Sequence, residues 1–194
     1  MIRFWNASIG TEIITTGGGG GGGGGSPLRI KDHEGPIRSV CGLSDSSDSS
    51  DNSNGSTVFM TSSNDGTIKT RLLDYSDSSA PVTMDVDGAS SSSSGSAVPL
   101  SCDVISTVFH PSEGSGGTPF ILDCCVANSE YVTCGEDGSV LVWNKDSSDL
   151  TQVIQHPTSV WGVTGCNNLL STDHNAETLF ATAGHDGILR VFST

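Results

Sequence analysis

Histidines, carboxylates and thiols are the side chains here that could carry chemistry, and their spacing decides which kind. A nucleophile needs a base beside it. The candidate pairs are Cys124 or Cys125 with His110, and Asp173 with His174. Both read poorly as catalysts, because His110 occupies a position that recurs along the chain in a structural role and Asp173-His174 lies in a polar hairpin loop. The six cysteines, Cys41, Cys102, Cys124, Cys125, Cys134 and Cys166, show no paired metal-ligand spacing. Cys124 and Cys125 are neighbours on a predicted strand, so they point to opposite faces and cannot share a tetrahedral zinc. Buried, reduced thiols are expected, with no metal, no cofactor and no enzymatic activity.

The recurrent histidines come with fixed companions. His33 precedes Thr61 and Asp65, His110 precedes Thr133 and Asp137, and His156 precedes Thr182 and Asp186. Each Thr and Asp belong to one octet, which occurs as Phe59 to Gly66, Tyr131 to Gly138 and Phe180 to Gly187. An octet opens on an aromatic residue, carries Thr two residues later and closes on Asp-Gly before an alternating apolar run. Asp-Gly between two β-rich runs is a strong hairpin signal. The runs that follow place Arg71, Trp143 and Phe192 six residues after the turn aspartate. A further apolar run separates each histidine from its octet, at Pro36 to Val40, Phe120 to Ala127 and Val160 to Val163.

The order of histidine, strand, strand, Asp-Gly turn and strand ending on Trp-Asn resembles the WD40 family. The expected fold is therefore all-β: a partial β-propeller of about three four-stranded antiparallel blades. The octets are 72 and then 49 residues apart, beyond the roughly 40 to 45 residues of such a repeat. Low-complexity inserts account for the excess. The resemblance implies a buried tetrad in which the turn Asp accepts from His, His meets Thr, and Thr meets the Trp indole. Buried polar groups must be partnered, so the four depend on each other. His110, Thr133, Asp137 and Trp143 make the complete set. In the third set Phe192 packs but cannot donate. In the first, Arg71 stands where Trp is expected, and that blade is expected to be the least well locked.

The stretches Gly17 to Gly25, Ser44 to Ser56 and Ser76 to Ser96 contain almost nothing that could enter a core, and cannot offset their own ordering entropy. The expected division is the end of a blade at 1–16, a Gly-rich loop at 17–26, a repeat at 27–75 with an insert at 44–56, an insert at 76–98, and repeats at 99–145 and 146–194, the last without its fourth strand. The second insert is expected between blades. Ile2 to Asn6 aligns with Val140 to Asn144, with Thr11 to Thr16 or alternatively Pro27 to Lys31 as the outer strand that follows. The chain reads as a piece of a longer propeller.

A net charge of −14 argues against nucleic acid or an anionic membrane surface as partner. No apolar run reaches the roughly 20 residues that span a bilayer, and the first residues lack a signal-peptide pattern. The cytoplasm is the expected compartment, with the nucleus as a second.

The later part of the chain carries a finer resemblance. Gln152 to Pro157, Ser159-Val160-Trp161 and the closing Asp186 to Phe192 are similar to the later blades of the phospholipase A-2-activating protein family, and His33 to Ile37 to its first strand entries. That resemblance implies a ubiquitin-binding propeller acting in ubiquitin-dependent catabolism and recycling. Contact with the valosin-containing AAA ATPase would run through domains outside these residues. A generic scaffold for another protein complex is the alternative. In WD propellers the residue five after the tetrad His and the one before the turn Asp emerge on the top face. The implied binding positions are Arg38, Ile121 and Trp161 from the first strands, with Ile121 aligned by its strand, and Asn64, Glu136 and His185 from the turns.

Overall fold

The computed structural model describes residues 1–6, 11–12, 14–15, 26–27, 29–43, 56–76, 98–111, 118–166 and 179–193. Every regular element among them is a β-strand. Six short strands come first: β1 (Ile2–Arg3), β2 (Trp5–Asn6), β3 (Thr11–Glu12), β4 (Ile14–Thr15), β5 (Ser26–Pro27) and β6 (Arg29–Ile30). Three antiparallel sheets follow. The first holds β7 (Ile37–Gly42), β8 (Ser56–Ser63), β9 (Thr67–Ser76) and β10 (Val98–Phe109) in sequence order. The second holds β11 (Ile121–Ala127), β12 (Glu130–Gly135), β13 (Ser139–Asn144) and β14 (Leu150–Gln155). The third holds β15 (Val160–Cys166), β16 (Leu179–Gly184) and β17 (Leu189–Ser193). Consecutive meanders packed face to face are propeller blades, and the fold is a partial propeller.

The octets form β8, β12 and β16, and their Asp-Gly turns lead into β9, β13 and β17. Gly66, Gly138 and Gly187 all have φ between 72° and 83°, where a side chain would be strained. Gly138 is doubly constrained, since an added Cβ would also lie 2.7 Å from the His156 carbonyl oxygen. The aromatic that opens each octet stands opposite the residue closing the next strand: Tyr131 opposite Trp143 and Phe180 opposite Phe192. The rings stack at 5.9 and 5.2 Å, a cross-strand contact worth about 0.2–1 kcal/mol.

Alternation along the strands sends side chains to two faces, and each face finds the next sheet. Met60 and Ile68 of the first sheet pack against Ile121, Cys124, Tyr131 and Trp143 of the second. From its other face Val132, Val140 and Val142 pack against Val160, Val163 and Phe180 of the third. The middle sheet is thus buried on both sides, and each fully buried aliphatic side chain contributes about 1.5–3 kcal/mol. Cys124 and Cys125 do belong to opposite cores.

The structure departs from the sequence reading in how the strands are connected. The stretch after Ser76 joins β9 to β10, which pair with each other, so that insert lies within one sheet rather than between blades. The repeat in sequence and the sheet in space are staggered by one strand. At the start of the chain both proposed outer segments are used. Trp5–Asn6 pairs with Thr11–Glu12 and Ile2–Arg3 with Arg29–Ile30, while Ile14–Thr15 pairs with Ser26–Pro27. The outer strand is divided, and the β4–β5 pair comes between its two parts in sequence, with β4 beside β10. The glycine run, the Ser/Asp insert at 44–55 and the Asp173-His174 pair lie outside the described residues.

Candidate interaction face

The buried networks that set each Asp-Gly turn come first, because they fix the positions of the residues around it. In the first sheet a directed chain of donors is complete. Arg71 donates from Nη1 to Thr61 Oγ1, Thr61 Oγ1 lies 2.9 Å from His33 Nε2, and His33 Nδ1 lies 2.9 Å from Asp65 Oδ2. Arg71 is fully buried and its Nη2 lies 2.6 Å from both carboxylate oxygens of Asp32. The expectation that this blade is the least well locked is therefore wrong. A guanidinium donates to Thr61 as an indole would, and Asp32, one residue before the histidine, supplies the counter-charge.

The second sheet, read as the complete set, is less direct. Trp143 Nε1 donates to Thr133 Oγ1 at 3.0 Å. The ring nitrogens of His110 lie 3.1 Å from the Pro111 carbonyl oxygen and 3.0 Å from Ser139 Oγ. Ser139 Oγ in turn donates to Asp137 Oδ1 at 2.6 Å. Thr67 plays the same part in the first sheet, donating to Asp65 Oδ1 at 2.6 Å while lying 3.1 Å from His33 Nδ1. This hydroxyl, two residues after the aspartate, was missed by sequence reasoning although Asp-Gly-Thr and Asp-Gly-Ser display it.

The third sheet has Ile188 at that position and Phe192 in place of Trp. Both ring nitrogens of buried His156 and the buried Thr182 Oγ1 lack partners among the described residues. Asp186 pairs instead with Arg190, Nη2 to Oδ2 at 2.6 Å. The His156 and Phe192 rings meet edge to face at 5.7 Å.

Titration follows the same geometry. Burial pushes the imidazoles of His33, His110 and His156 below the ordinary histidine value. Burial raises Asp65, but hydrogen bonds from the Thr67 hydroxyl and amide, His33 and the Glu34 amide outweigh it and hold the carboxyl far below the usual range. Burial likewise opposes the charged form of Asp32, and the hydrogen bonding and charge of Arg71 prevail and lower it. The Cys124 and Cys125 thiols are pushed by burial up to about 12, which leaves no thiolate nucleophile at neutral pH.

The candidate face lies at the turn ends of the inner strands β7, β11 and β15. Each inner strand has a register shift one residue in, at Ile37/Ser39, Ile121/Asp123 and Val160/Gly162. The skipped residues are Arg38, Leu122 and Trp161. A bulge re-aims the side chain it carries, and Trp161 is 60% exposed. Arg38 Nε donates to Asn64 Oδ1 at 2.8 Å, and the Trp161 ring lies 6.1 Å from that of His185. The bulge residue and the turn residue thus touch in the first and third sheets. Glu136 is exposed at the second turn, where its carbonyl accepts from Ser159 Oγ at 2.6 Å and its amide donates to the Phe120 carbonyl.

Ile121 is a correction. It is fully buried in the core between the first two sheets, in the register position of Ile37 and Val160. Leu122 takes the bulge position. The long entry from His110 hides the count from the histidine, and alignment by the strand alone falls one residue short because a bulge leaves no trace in hydrophobic alternation. Asp123 is a further residue missed: its Oδ2 accepts from the Val163 amide at 3.1 Å and ties neighbouring inner strands together.

Residues 25–70 match the family model "WD domain, G-beta repeat". No curated protein matches the chain. Among solved structures it is similar to the WD40 β-propeller domain of Doa1, at 24% identity and a TM-score of 0.48 over 84% of this chain and 38% of that one. It is also similar to a chain of Polycomb Repressive Complex 2 bound to GSK126 from Chaetomium thermophilum, at 15% identity and a TM-score of 0.53 over 86% and 30%. A third is Sqt1 of Saccharomyces cerevisiae, at 14% identity and a TM-score of 0.43 over 84% and 46%. The chain therefore spans well under half of the first of these. At 15% identity the second shares a fold with this chain and nothing more.

Proposed function

We propose that this chain is a non-catalytic protein-interaction module whose top face binds ubiquitin or ubiquitylated proteins, within ubiquitin-dependent catabolism and recycling. The observation that carries the reading is the largely exposed indole of Trp161, lifted by its bulge beside His185. Solvent-exposed tryptophan at a fixed position is the residue type most often found as an interface anchor. Leu122 and the exposed acid Glu136 on the neighbouring blade give that anchor an apolar and acidic surround. Ubiquitin presents an apolar patch ringed by basic residues, which such a surround complements. The resemblance of Gln152 to Pro157 and Asp186 to Phe192 to the phospholipase A-2-activating protein family supports the same ligand. Any contact with the valosin-containing AAA ATPase is proposed only through domains outside these residues, and the cytoplasm and nucleus are the proposed compartments.

The test is a titration of isotopically labelled ubiquitin with the chain and with Trp161→Ala. Shifts confined to ubiquitin's apolar patch, lost in the variant, are the expected result. No shifts from a chain shown by circular dichroism to be folded would remove ubiquitin as the ligand and leave a scaffold for another protein.

A further inference from the structure

We infer that the interaction face proposed above takes an arginine side chain of its partner between the second and third sheets, the guanidinium paired with Glu136 and stacked between Phe120 and Trp161; the assignment rests on that proposal and names the group the face grips. A row of hydrogen bonds crosses the face here. The Glu136 amide donates to the Phe120 carbonyl at 3.0 Å, the Glu136 carbonyl accepts from Ser159 Oγ at 2.6 Å, and the His185 amide donates to the Ser159 carbonyl at 2.8 Å. Glu136 therefore falls between Phe120 on one side and Ser159-Val160-Trp161 on the other. Phe120 and Trp161 are 41% and 60% exposed, and Glu136 is exposed as well.

The three turn residues differ in how their side chains are engaged. Asn64 Oδ1 accepts from Arg38 Nε at 2.8 Å, and the His185 ring lies 6.1 Å from that of Trp161. The Glu136 carboxylate makes no hydrogen bond or ion pair among the described residues, while Asp137 beside it turns inward to the Ser139 amide and hydroxyl. An exposed carboxylate without an internal partner is left for a cation from outside. The backbone that carries it is held in place. Gln155 Nε2 donates to the Asp137 carbonyl at 2.9 Å, and a Cβ on Gly138 would stand 2.7 and 2.8 Å from the His156 and Thr158 carbonyl oxygens, so the second turn is pressed onto the entry to the third sheet. A group held this way loses little freedom on binding.

The surroundings select arginine over lysine. A guanidinium is planar, pairs with a carboxylate through two parallel N–H donors and stacks on aromatic faces, whereas an ammonium is a strongly hydrated point charge. Aromatic faces attract such a cation within about 6 Å of the ring centre, and the two rings here flank the one unpaired acid. The net charge of −14 adds a field that draws cations toward the molecule.

The probe is N-acetyl-arginine amide at millimolar concentration, added to the isotopically labelled chain at neutral pH, with N-acetyl-citrulline amide as its uncharged counterpart. Shifts of the Trp161 indole N–H and of the Glu136 and His185 amides are expected with the arginine amide, smaller with the lysine amide, absent with the citrulline amide and lost in the near-isosteric Glu136→Gln. Phe120→Leu and Trp161→Leu keep apolar bulk but remove the ring, and each should weaken the probe about three- to tenfold, with circular dichroism as the check on folding. No shifts at those groups, equal shifts with the citrulline amide, or unchanged binding in Glu136→Gln would overturn the inference. Titration of labelled ubiquitin with Glu136→Gln separates this from the identity of the partner. Binding about three- to tenfold weaker than to the native chain is expected at low salt, the difference shrinking as added salt screens the pair. Ubiquitin held equally well by both chains would overturn the inference and leave the ubiquitin reading standing. Probe shifts without any ubiquitin binding would support the arginine seat and remove ubiquitin as the ligand.

Discussion

Asp32→Asn is the substitution whose effect the geometry constrains most tightly. Arg71 is fully buried, and the Asp32 carboxylate is the counter-charge it meets, with both oxygens 2.6 Å from Nη2. The asparagine is nearly isosteric, so packing is kept while the neutralising charge is lost. Removing one partner of a buried ion pair costs about 3–5 kcal/mol, because the other charge is left uncompensated. The Asp32 side chain is 26% exposed, and solvent screening moves the expectation to the lower end, about 3 kcal/mol. An exposed pair would give only about 0–1 kcal/mol. The background Arg71→Trp supplies the control. An indole there can donate to Thr61 as Trp143 does to Thr133 at 3.0 Å, and Asp32 then keeps only the part-exposed pair with Lys69, whose Nζ lies 4.0 Å from Oδ2. In that background Asp32→Asn should cost no more than about 1 kcal/mol, the worth of an exposed pair, giving a coupling of about 2 kcal/mol in the double-mutant cycle. Urea unfolding followed by circular dichroism measures all four species. A loss below about 1 kcal/mol in the native background, or the same loss in both backgrounds, would refute the claim that Arg71 stands in for tryptophan at the cost of needing Asp32.

Other consequences follow from the same networks. Asp137→Ala should cost about 1–3 kcal/mol, because the Ser139 hydroxyl and amide lose the carboxylate they donate to and the hydroxyl is no longer held against His110, whereas Glu136→Ala should be nearly neutral; equal urea midpoints would contradict the assigned frame. Phe192→Trp should stabilise the chain by about 0.5–1.5 kcal/mol by giving Thr182 a donor, and an unchanged or lower midpoint would mean that the third sheet cannot admit the indole. Three histidines have lowered values through burial, so the unfolded chain takes up their protons first as pH falls below about 6.5. Stability should therefore drop between pH 7.5 and 5.5, and a flat thermal midpoint across that window would count against neutral buried rings. Cys124 and Cys125, held at about 12, should react with a thiol reagent only after denaturant is added, and prompt modification of the native chain would show that these strands open.

What could be seen in the sequence was local. Each octet, turn and following strand is a contiguous hairpin, and the hydrophobic alternation and Asp-Gly signal lie within it. The long-range features were legible only where one residue type implies another. His33 could be matched to Asp65 because a buried imidazole calls for a partner, but the same expectation fails beyond the first sheet: His110 reaches Asp137 only through Ser139, and Asp186 pairs with Arg190 instead of His156. Arg71 could not be matched to Asp32, because a charged residue in a tryptophan position reads as a loss of the donor rather than a change of donor. Leu122 was hidden for a different reason. A bulge adds a residue without changing the apolar pattern on either side, so Ile121 satisfied the alignment while occupying the core. The stagger between repeat and sheet misplaced the insert after Ser76 in the same way: sequence marks where a motif begins, and pairing marks where a sheet does.

The three sheets together show that the turn network is a set of interchangeable parts. Two parts recur at the turn: a hydroxyl two residues after the aspartate, which meets the histidine, and a donor six residues after it that fixes the threonine, which in the first sheet meets the histidine as well. The first sheet has Thr67 and Arg71, the second Ser139 and Trp143, and the third has neither in Ile188 and Phe192. Loss of both leaves the His156 ring nitrogens and Thr182 Oγ1 without hydrogen-bond partners among the described residues and releases Asp186 to Arg190. The third hairpin should accordingly open first in native-state hydrogen exchange, with amides of β17 less protected than those of β9 or β13. Restoring the parts one at a time separates their roles. Ile188→Thr should draw Asp186 back toward His156 while leaving Thr182 unpartnered, and Phe192→Trp should do the reverse. Only the pair of substitutions should bring β17 to the protection of β13. If either substitution alone achieved that, the two parts would not be independent, and the histidine would be secured by a single route in every sheet.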